Sequence, residues 1–356
     1  MVGERIKQAR LMLGLSQREL ARRVGLSATA ISKFEQGTLT PSSATLLRLA
    51  RALGRPLEFF VRPVSVTHIE PAYRKRSRVA KKAEKALLAS IAEWLERYLE
   101  LETILFGSPK AFTFPKGFPR QVESFDDVEE AALQLRKVWD LGIDPIDNFV
   151  QLLEDKNVKV GIFDVEQGFD ACAFTADEGG HVLVMVIRKG LPGDRTRFNL
   201  GHELGHLLLK VRGGLAPEKA ASRFAGAFLV PKPVVIAELG QSRRILDLRE
   251  LEVLKHKYGL SMQAWIYRAR DLGIISEAAF RRLNKAFRER GWHRVEPGTP
   301  YPPEEPVRFQ RLVFQALAEG LVSVKRAAEL LACPPEAFQG ELASLDEGLA
   351  VELRHR

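Results

Sequence analysis

Cysteine is nearly absent from this chain, with two in 356 residues, Cys172 and Cys333, far apart in sequence. Such a pair builds neither a disulfide framework nor a cysteine-based zinc motif, and the scarcity suits a reducing compartment. Long apolar runs are missing too. No stretch approaches the roughly 18 consecutive apolar residues of a membrane span. The polar opening, MVGERIKQAR, lacks the apolar core of a secretion signal, so a cytoplasmic protein without a membrane partner is expected. Disorder is excluded on composition, since 46% of residues are hydrophobic and 28% charged, the profile of a folded soluble chain. The length accommodates two or three domains.

What the chain has in excess is positive charge. The formal net charge is +9, which makes an acidic partner such as nucleic acid plausible. The excess is concentrated in residues 1–64, which hold eleven Lys/Arg against four acids (Glu4, Glu19, Glu35 and Glu58). That segment reads as five short helices. Ser16 with Glu19 forms a capping-box pattern that opens a second helix running to Val24. Gly25 breaks it, Ser27 caps a third helix ending before Gly37, and Pro41-Ser42 open a fourth. Gly54 ends the fourth and Pro56 starts a short fifth. A short second helix, a tight turn and a third helix free to enter the major groove are the parts of a helix-turn-helix. Ala21 is small enough for the two helices to approach, and Val24 and Ile31 pack between them.

Further along, Tyr73–Arg78 is a basic run, and helical spacing of Leu87, Ile91, Trp94, Leu95, Tyr98 and Leu101 predicts a long helix over 79–105. It suits either dimerisation or core packing. Pro and Gly crowd 107–119, which reads as loop. Two helices are expected in 126–155, split by Gly142 and Pro145. Strands are expected at Lys159–Phe163 and Val182–Ile187, with Gly179-Gly180 as a turn. Helices follow at 197–210 and 217–229, stopped by Pro231 and Pro233. Residues 291–306 are a Pro/Gly-rich break, and 307–335 a further helical pair.

The most informative stretch is Phe198-Asn199-Leu200-Gly201-His202-Glu203-Leu204-Gly205-His206-Leu207-Leu208. His202 and His206 stand four apart and share a helix face, so both imidazoles reach one Zn²⁺. Glu203 lies where a carboxylate takes a proton from water at the metal. Leu200, Leu204, Leu207 and Leu208 bury the rest of the helix, while Gly201 and Gly205 let another element come close. A third ligand should be a His or an acid from a nearby helix, and Glu218 is the best placed, because acids such as Glu238 follow the Pro231/Pro233 break. The fourth position would hold water, as catalysis requires. Val182–Ile187 is either a substrate-pairing strand or an ordinary buried one. His181 is either a substrate contact or a solvated turn residue. Cys172 reads as a small core residue.

Two resemblances come with these motifs. Residues 3–61 are similar to the XRE family of helix-turn-helix proteins through Leu15-Ser16-Gln17, Leu20-Ala21, Val24-Gly25, Ile31-Ser32-Lys33, Glu35-Gln36-Gly37 and Pro41. The resemblance implies phosphate contacts from Gln17 and Lys33 and base-edge contacts from Ser27, Ala28, Thr29 and Ser32. These base-edge side chains are short and uncharged, so hydroxyl bonds and thymine-methyl contact are available but no bidentate arginine–guanine pair. Residues 126–290 resemble the ImmA/IrrE metallopeptidases through Arg197-Phe198, His202-Glu203-Leu204-Gly205-His206, Glu218, Ala221, Phe224-Ala225 and Leu229-Val230-Pro231. The chain departs from many members at Ser222, where they carry Asn, and at Ala220, where they carry a second acid.

The fold class expected is mainly α with a small β-sheet (α+β). A five-helix domain at 1–64 precedes a basic linker and connector helix at 65–125. A zincin-like domain at 126–290 and a helical C-terminal region at 291–356 follow. The resemblances imply a stress-type transcription regulator binding double-stranded operator DNA, as a homodimer if the operator is two-fold. They also imply a zinc endopeptidase with Glu203 catalytic and His202, His206 and Glu218 on the metal, cleaving itself or an XRE-type repressor. The alternative is a non-proteolytic, zinc-containing repressor or antitoxin-like DNA binder.

Overall fold

Three serine hydroxyls set the register of the N-terminal helices in the computed structural model, which describes residues 2–66, 69–71, 80–165, 169–177 and 181–354. Ser16, Ser27 and Ser42 each accept from the backbone N–H three residues ahead, at 3.1, 3.1 and 3.3 Å. Glu19 returns the bond to the Ser16 N–H at 2.6 Å, completing the capping box. The helices so started are α2 (Gln17–Val24), α3 (Ala28–Glu35) and α4 (Ser43–Leu53), with α1 (Val2–Met12) before them and α5 (Leu57–Val61) after. Gly25 closes α2 in the left-handed region at φ 64°, where a side chain would be strained.

The remaining elements are β1 (Ile69–Pro71), α6 (Lys81–Phe106), β2 (Arg120–Val122), α7 (Phe125–Val138), α8 (Phe149–Asp155), β3 (Lys159–Phe163), β4 (Ala171–Asp177) and β5 (His181–Arg188). Then come α9 (Gly193–Leu208), β6 (Leu209–Val211), α10 (Pro217–Leu229), α11 (Lys232–Leu239), α12 (Leu248–Tyr258), α13 (Met262–Asp271) and α14 (Glu277–Glu289). The chain ends with α15 (Arg308–Ala318), α16 (Val324–Leu330) and α17 (Pro335–Arg354). The architecture is mainly helical with small sheets, as the sequence implies. The basic run Tyr73–Arg78, the Gly179-Gly180 turn and the His181 side chain lie outside the described residues. No single described helix is long and apolar enough to cross a membrane.

Two compact units result. One comprises residues 1–69, 81–111 and 307–356, the other residues 70–80 and 112–306. The segments expected at 65–125 and 291–356 are therefore each divided between the units. In the first unit, Ile6, Leu20, Ile31, Leu49 and Phe60 form the core of α1–α5. Arg10 holds Glu35 through two bonds of 2.5 and 2.9 Å, and Arg5 reaches Glu96 of α6 at 2.5 Å. The apolar face of the later part of α6 (Trp94, Tyr98 and Leu101) is covered by α15–α17, where Tyr98 stacks on Phe309 with ring centroids 4.9 Å apart. Core packing thus accounts for the face that its spacing left open to dimerisation.

The second unit is built around a sheet of order β1-β4-β5-β3 and a parallel pair β2–β6. β3 and β5 run parallel, with Lys159 opposite Val184, and β4 runs antiparallel to β5, with Ala173 opposite Met185. Two corrections to the sequence reading follow. The helix expected at 197–210 starts at Gly193, behind Pro192, and ends at Leu208 because Leu209 turns extended and pairs with Arg120. β4, rich in alanine, has no β-branched pattern to announce it.

α7, α10 and α13 are clamped by one buried carboxylate. Glu129 accepts from both Arg223 and Arg268, and Arg268 also donates to the Val230 carbonyl at 3.0 Å. Burial raises the Glu129 pKa, but Arg268 and Arg223 outweigh it and hold the carboxyl below its usual 4.5. A depressed pKa contributes stability that is full above the unfolded value and fades as pH falls through the folded one. Glu129→Gln leaves two buried guanidinium groups without their anion, so it should lower unfolding free energy at pH 7 by about 3–5 kcal/mol. It should also flatten the acid limb of stability below pH ~4.5. Urea unfolding from pH 3 to 7 measures both effects.

Candidate metal centre and helix-turn-helix surface

α9 and α10 touch along a seam of small residues. A Cβ at Gly201 would stand 3.2 Å from the Ala225 Cβ, and one at Gly205 would stand 3.1 Å from the Ala221 Cα. This approach brings the exposed start of α10 over the face of α9 that carries the histidines. His202 Nε2 lies 3.0 Å from His206 Nε2 and 3.3 Å from Glu218 Oε2, and His206 Nε2 lies 3.4 Å from Glu218 Oε1. Tetrahedral zinc with bonds of roughly 2.0–2.1 Å sets its ligand atoms about 3.3–3.4 Å apart. The three donors already span such a triangle, and their chemistry, two imidazoles and a carboxylate, fits a divalent zinc.

The His202 tautomer follows from Ser222. The Ser222 hydroxyl donates to the Glu218 carbonyl at 2.8 Å, spending its one proton, and lies 3.2 Å from His202 Nδ1. Nδ1–H therefore donates to Ser222, and the Nε2 lone pair faces the triangle. Ser222 does the orienting work that its departure from the family left open. The only sequence signal for it was position, four residues after Glu218.

Glu203 is buried beside the histidines, and its Oε2 accepts from the Ala173 backbone N–H at 3.2 Å. That contact fixes the carboxylate against β4. It is a main-chain donor on a strand the sequence does not reveal, so no side-chain pattern could have pointed to it. Behind the site, Arg197 is fully buried, paired with Glu304 and donating to the Ile146 carbonyl at 2.6 Å. It anchors the first half of α9.

Val182–Ile187 does not serve as a substrate-pairing edge. β5 lies between β3 and β4, and its side chains from Val182 to Ile187 are at most 2% exposed. Glu238 sits away from the triangle, accepting from Lys257 and Tyr258 at 2.6 Å each. Cys172 is half-buried on β4, and its thiol donates to the Ala173 carbonyl at 3.6 Å.

In the first unit the turn between α2 and α3 leaves Ser27, Thr29 and Lys33 exposed, with Ala28 and Ser32 half-buried. These five share the outer side of α3 and its start. Gln17 differs. Its Nε2 donates to Glu35 at 2.8 Å, joining the Arg10–Glu35 pair. Ser27 already accepts the capping bond from Ala30, which leaves its proton and one lone pair for a base edge.

Geometry of this kind defines a regulator-type chain, a helix-turn-helix module joined to a metallopeptidase-like domain. A family model described as helix-turn-helix matches residues 6–60, and one described as an IrrE N-terminal-like domain matches residues 154–270. An HTH-type transcriptional regulator of Sinorhizobium fredii is 31% identical over 144 residues, 38% of this chain and 71% of that protein. One of Methanothermobacter thermautotrophicus is 48% identical over 50 residues, 14% of this chain and 72% of that protein. A transcriptional regulator in the ATPase CF(0) region of Rhodospirillum rubrum is 42% identical over 59 residues, 17% of this chain. The match covers 55% of the Rhodospirillum protein, so the chain spans about half the length of that relative. The chain belongs to the XRE-type helix-turn-helix transcriptional regulators and carries an IrrE-like M78 domain.

The seam generates a test. Gly205→Ala adds a methyl against the Ala221 backbone, so α10 must retreat by a few tenths of an ångström. Alanine favours the helix by about 0.5–1 kcal/mol over glycine, yet zinc affinity should fall about tenfold as the ligand triangle opens. Competition against a chelator gives the affinity, and unchanged zinc binding would contradict the seam's role.

Proposed function

We propose that the chain is a DNA-binding transcriptional regulator whose second unit is a zinc-dependent endopeptidase, acting on itself or on an XRE-type repressor to relieve repression. The observation that carries this reading is the preformed His202–His206–Glu218 triangle with Glu203 buried beside it. Three protein ligands leave a fourth position open, the mark of a catalytic rather than a structural zinc site.

When bound, zinc supplies a Lewis acid that polarises a peptide carbonyl and acidifies water. His202, oriented by Ser222, His206 and Glu218 would hold it. Glu203 takes the proton from water through its carboxylate and hands it to the departing amine as the C–N bond breaks, so that water is added across the peptide bond. Ala173 keeps the carboxylate plane fixed between these two transfers. In the first unit, Lys33 and Gln17 would meet DNA phosphates, while Ser27, Ala28, Thr29 and Ser32 would meet base edges. Gln17 gives one Nε2 proton to Glu35, and the second Nε2 proton would donate to a phosphate oxygen and set the register of α2 on the DNA backbone.

The names of the relatives, all regulators, favour a second reading in which the metal stabilises a domain that never cuts. Incubating the zinc-loaded chain with operator DNA and XRE-type repressors separates the two. A discrete cut by wild type, absent in Glu203→Gln, is the expected result. Equal operator binding by both proteins with no cut in any partner would leave only the regulator.

A further inference from the structure

A cavity of about 1000 Å³ in the second unit adjoins the triangle, because it is lined by Glu218 and by Ser222, which lies 3.2 Å from His202 Nδ1. Its volume greatly exceeds that of a single side chain and matches the upper range of ligand pockets. Its walls combine rings from Phe198, Tyr267 and Trp292 with a basic rim. Lysines and arginines outnumber acids along that rim, and their pairing decides which of them are available. Arg223 and Arg270 are spent on Asp271, at 3.2 and 2.5 Å, and Lys255 lies 3.4 Å from Glu296. Lys219 and Arg294 are exposed and make no ion pair with a described residue. They stand on separate elements, Lys219 next to the ligand Glu218 on α10 and Arg294 in the loop after α14.

We propose that this cavity receives an acidic and apolar stretch of the protein substrate, with Lys219 and Arg294 meeting its carboxylates and Phe198, Tyr267 and Trp292 packing its apolar side chains. The proposal rests on the endopeptidase reading and names the substrate class for that site. An acidic segment gains from two unpaired cations that a neutral or basic one does not satisfy, and specificity then arises from charge complementarity next to the scissile bond.

The test uses the zinc-loaded full chain carrying Glu203→Gln, so that nothing is consumed. Two nonapeptides of equal apolar content are titrated, one alternating Asp/Glu with Leu/Phe and one with Lys in place of the acids. The N-terminal module is itself basic, so the readout is quenching of Trp292, isolated by subtracting the response of the Trp292→Phe protein. The acidic peptide should bind at least about tenfold more tightly than its lysine counterpart, and Lys219→Glu with Arg294→Glu should abolish that preference. Equal binding of the two peptides, a preference that survives the double variant, or no Trp292 response to the acidic peptide up to millimolar concentration would overturn the proposal. Cleavage of a repressor by wild type without this preference would leave the endopeptidase reading standing and the cavity proposal refuted. Acidic binding without any cleavage would do the reverse.

Discussion

Everything specific about the second unit depends on how closely two helices approach. Gly201 and Gly205 have no side chain on the face of α9 that meets Ala225 and Ala221 of α10. That seam lets one turn of α10 deliver Glu218 to the same point in space as two imidazoles from α9. Helix axes usually stand 8–10 Å apart, at a distance set by the side chains at the contact. Methyl and hydrogen at the seam set the short end of that range, and the ligand triangle is its direct consequence. Ser222 and Ala173 then act on a frame the seam has already fixed, one orienting His202 and the other holding Glu203.

The rest of the unit holds the two helices in that relation. Arg197 ties α9 to the Ile146 carbonyl and to Glu304, and Glu129 ties α10 through Arg223 to α7 and α13. These are buried ion pairs, which contribute little net stability over apolar packing but define one geometry sharply. The first unit uses the same device on a smaller scale, where Arg10 and Gln17 converge on Glu35 and lock α1, α2 and α3 together. In both units buried arginines fix the helices that present functional side chains to solvent.

Much of this was legible in the sequence. Serine caps, glycine stops and the four-residue spacing of His202 and His206 act locally, within one turn of chain, so the five N-terminal helices and the ligand-bearing face follow from them. The seam was legible too, because Gly201 and Gly205 on an otherwise leucine-rich helix require a close neighbour. What could not be read was the set of long-range relations. β4 has one β-branched residue, Thr175, among three alanines and forms because β5 offers it a partner, so the Ala173 donor to Glu203 was invisible. The end of α9 at Leu208 depends on pairing between β6 and a strand almost ninety residues earlier. The packing of α15–α17 on α6 likewise depends on a contact between distant segments, Tyr98 against Phe309, which periodicity leaves undecided.

The most direct measurement is X-ray absorption at the zinc edge on the zinc-loaded full chain. Two imidazole nitrogens with oxygen donors completing a four-coordinate shell at roughly 2.0–2.1 Å is the expected result. Loss of one imidazole in His206→Ala would assign that shell to the seam. A sulfur donor in the shell, or a zinc environment unchanged by His206→Ala, would place the metal elsewhere and contradict the view that α9 and α10 exist to hold it.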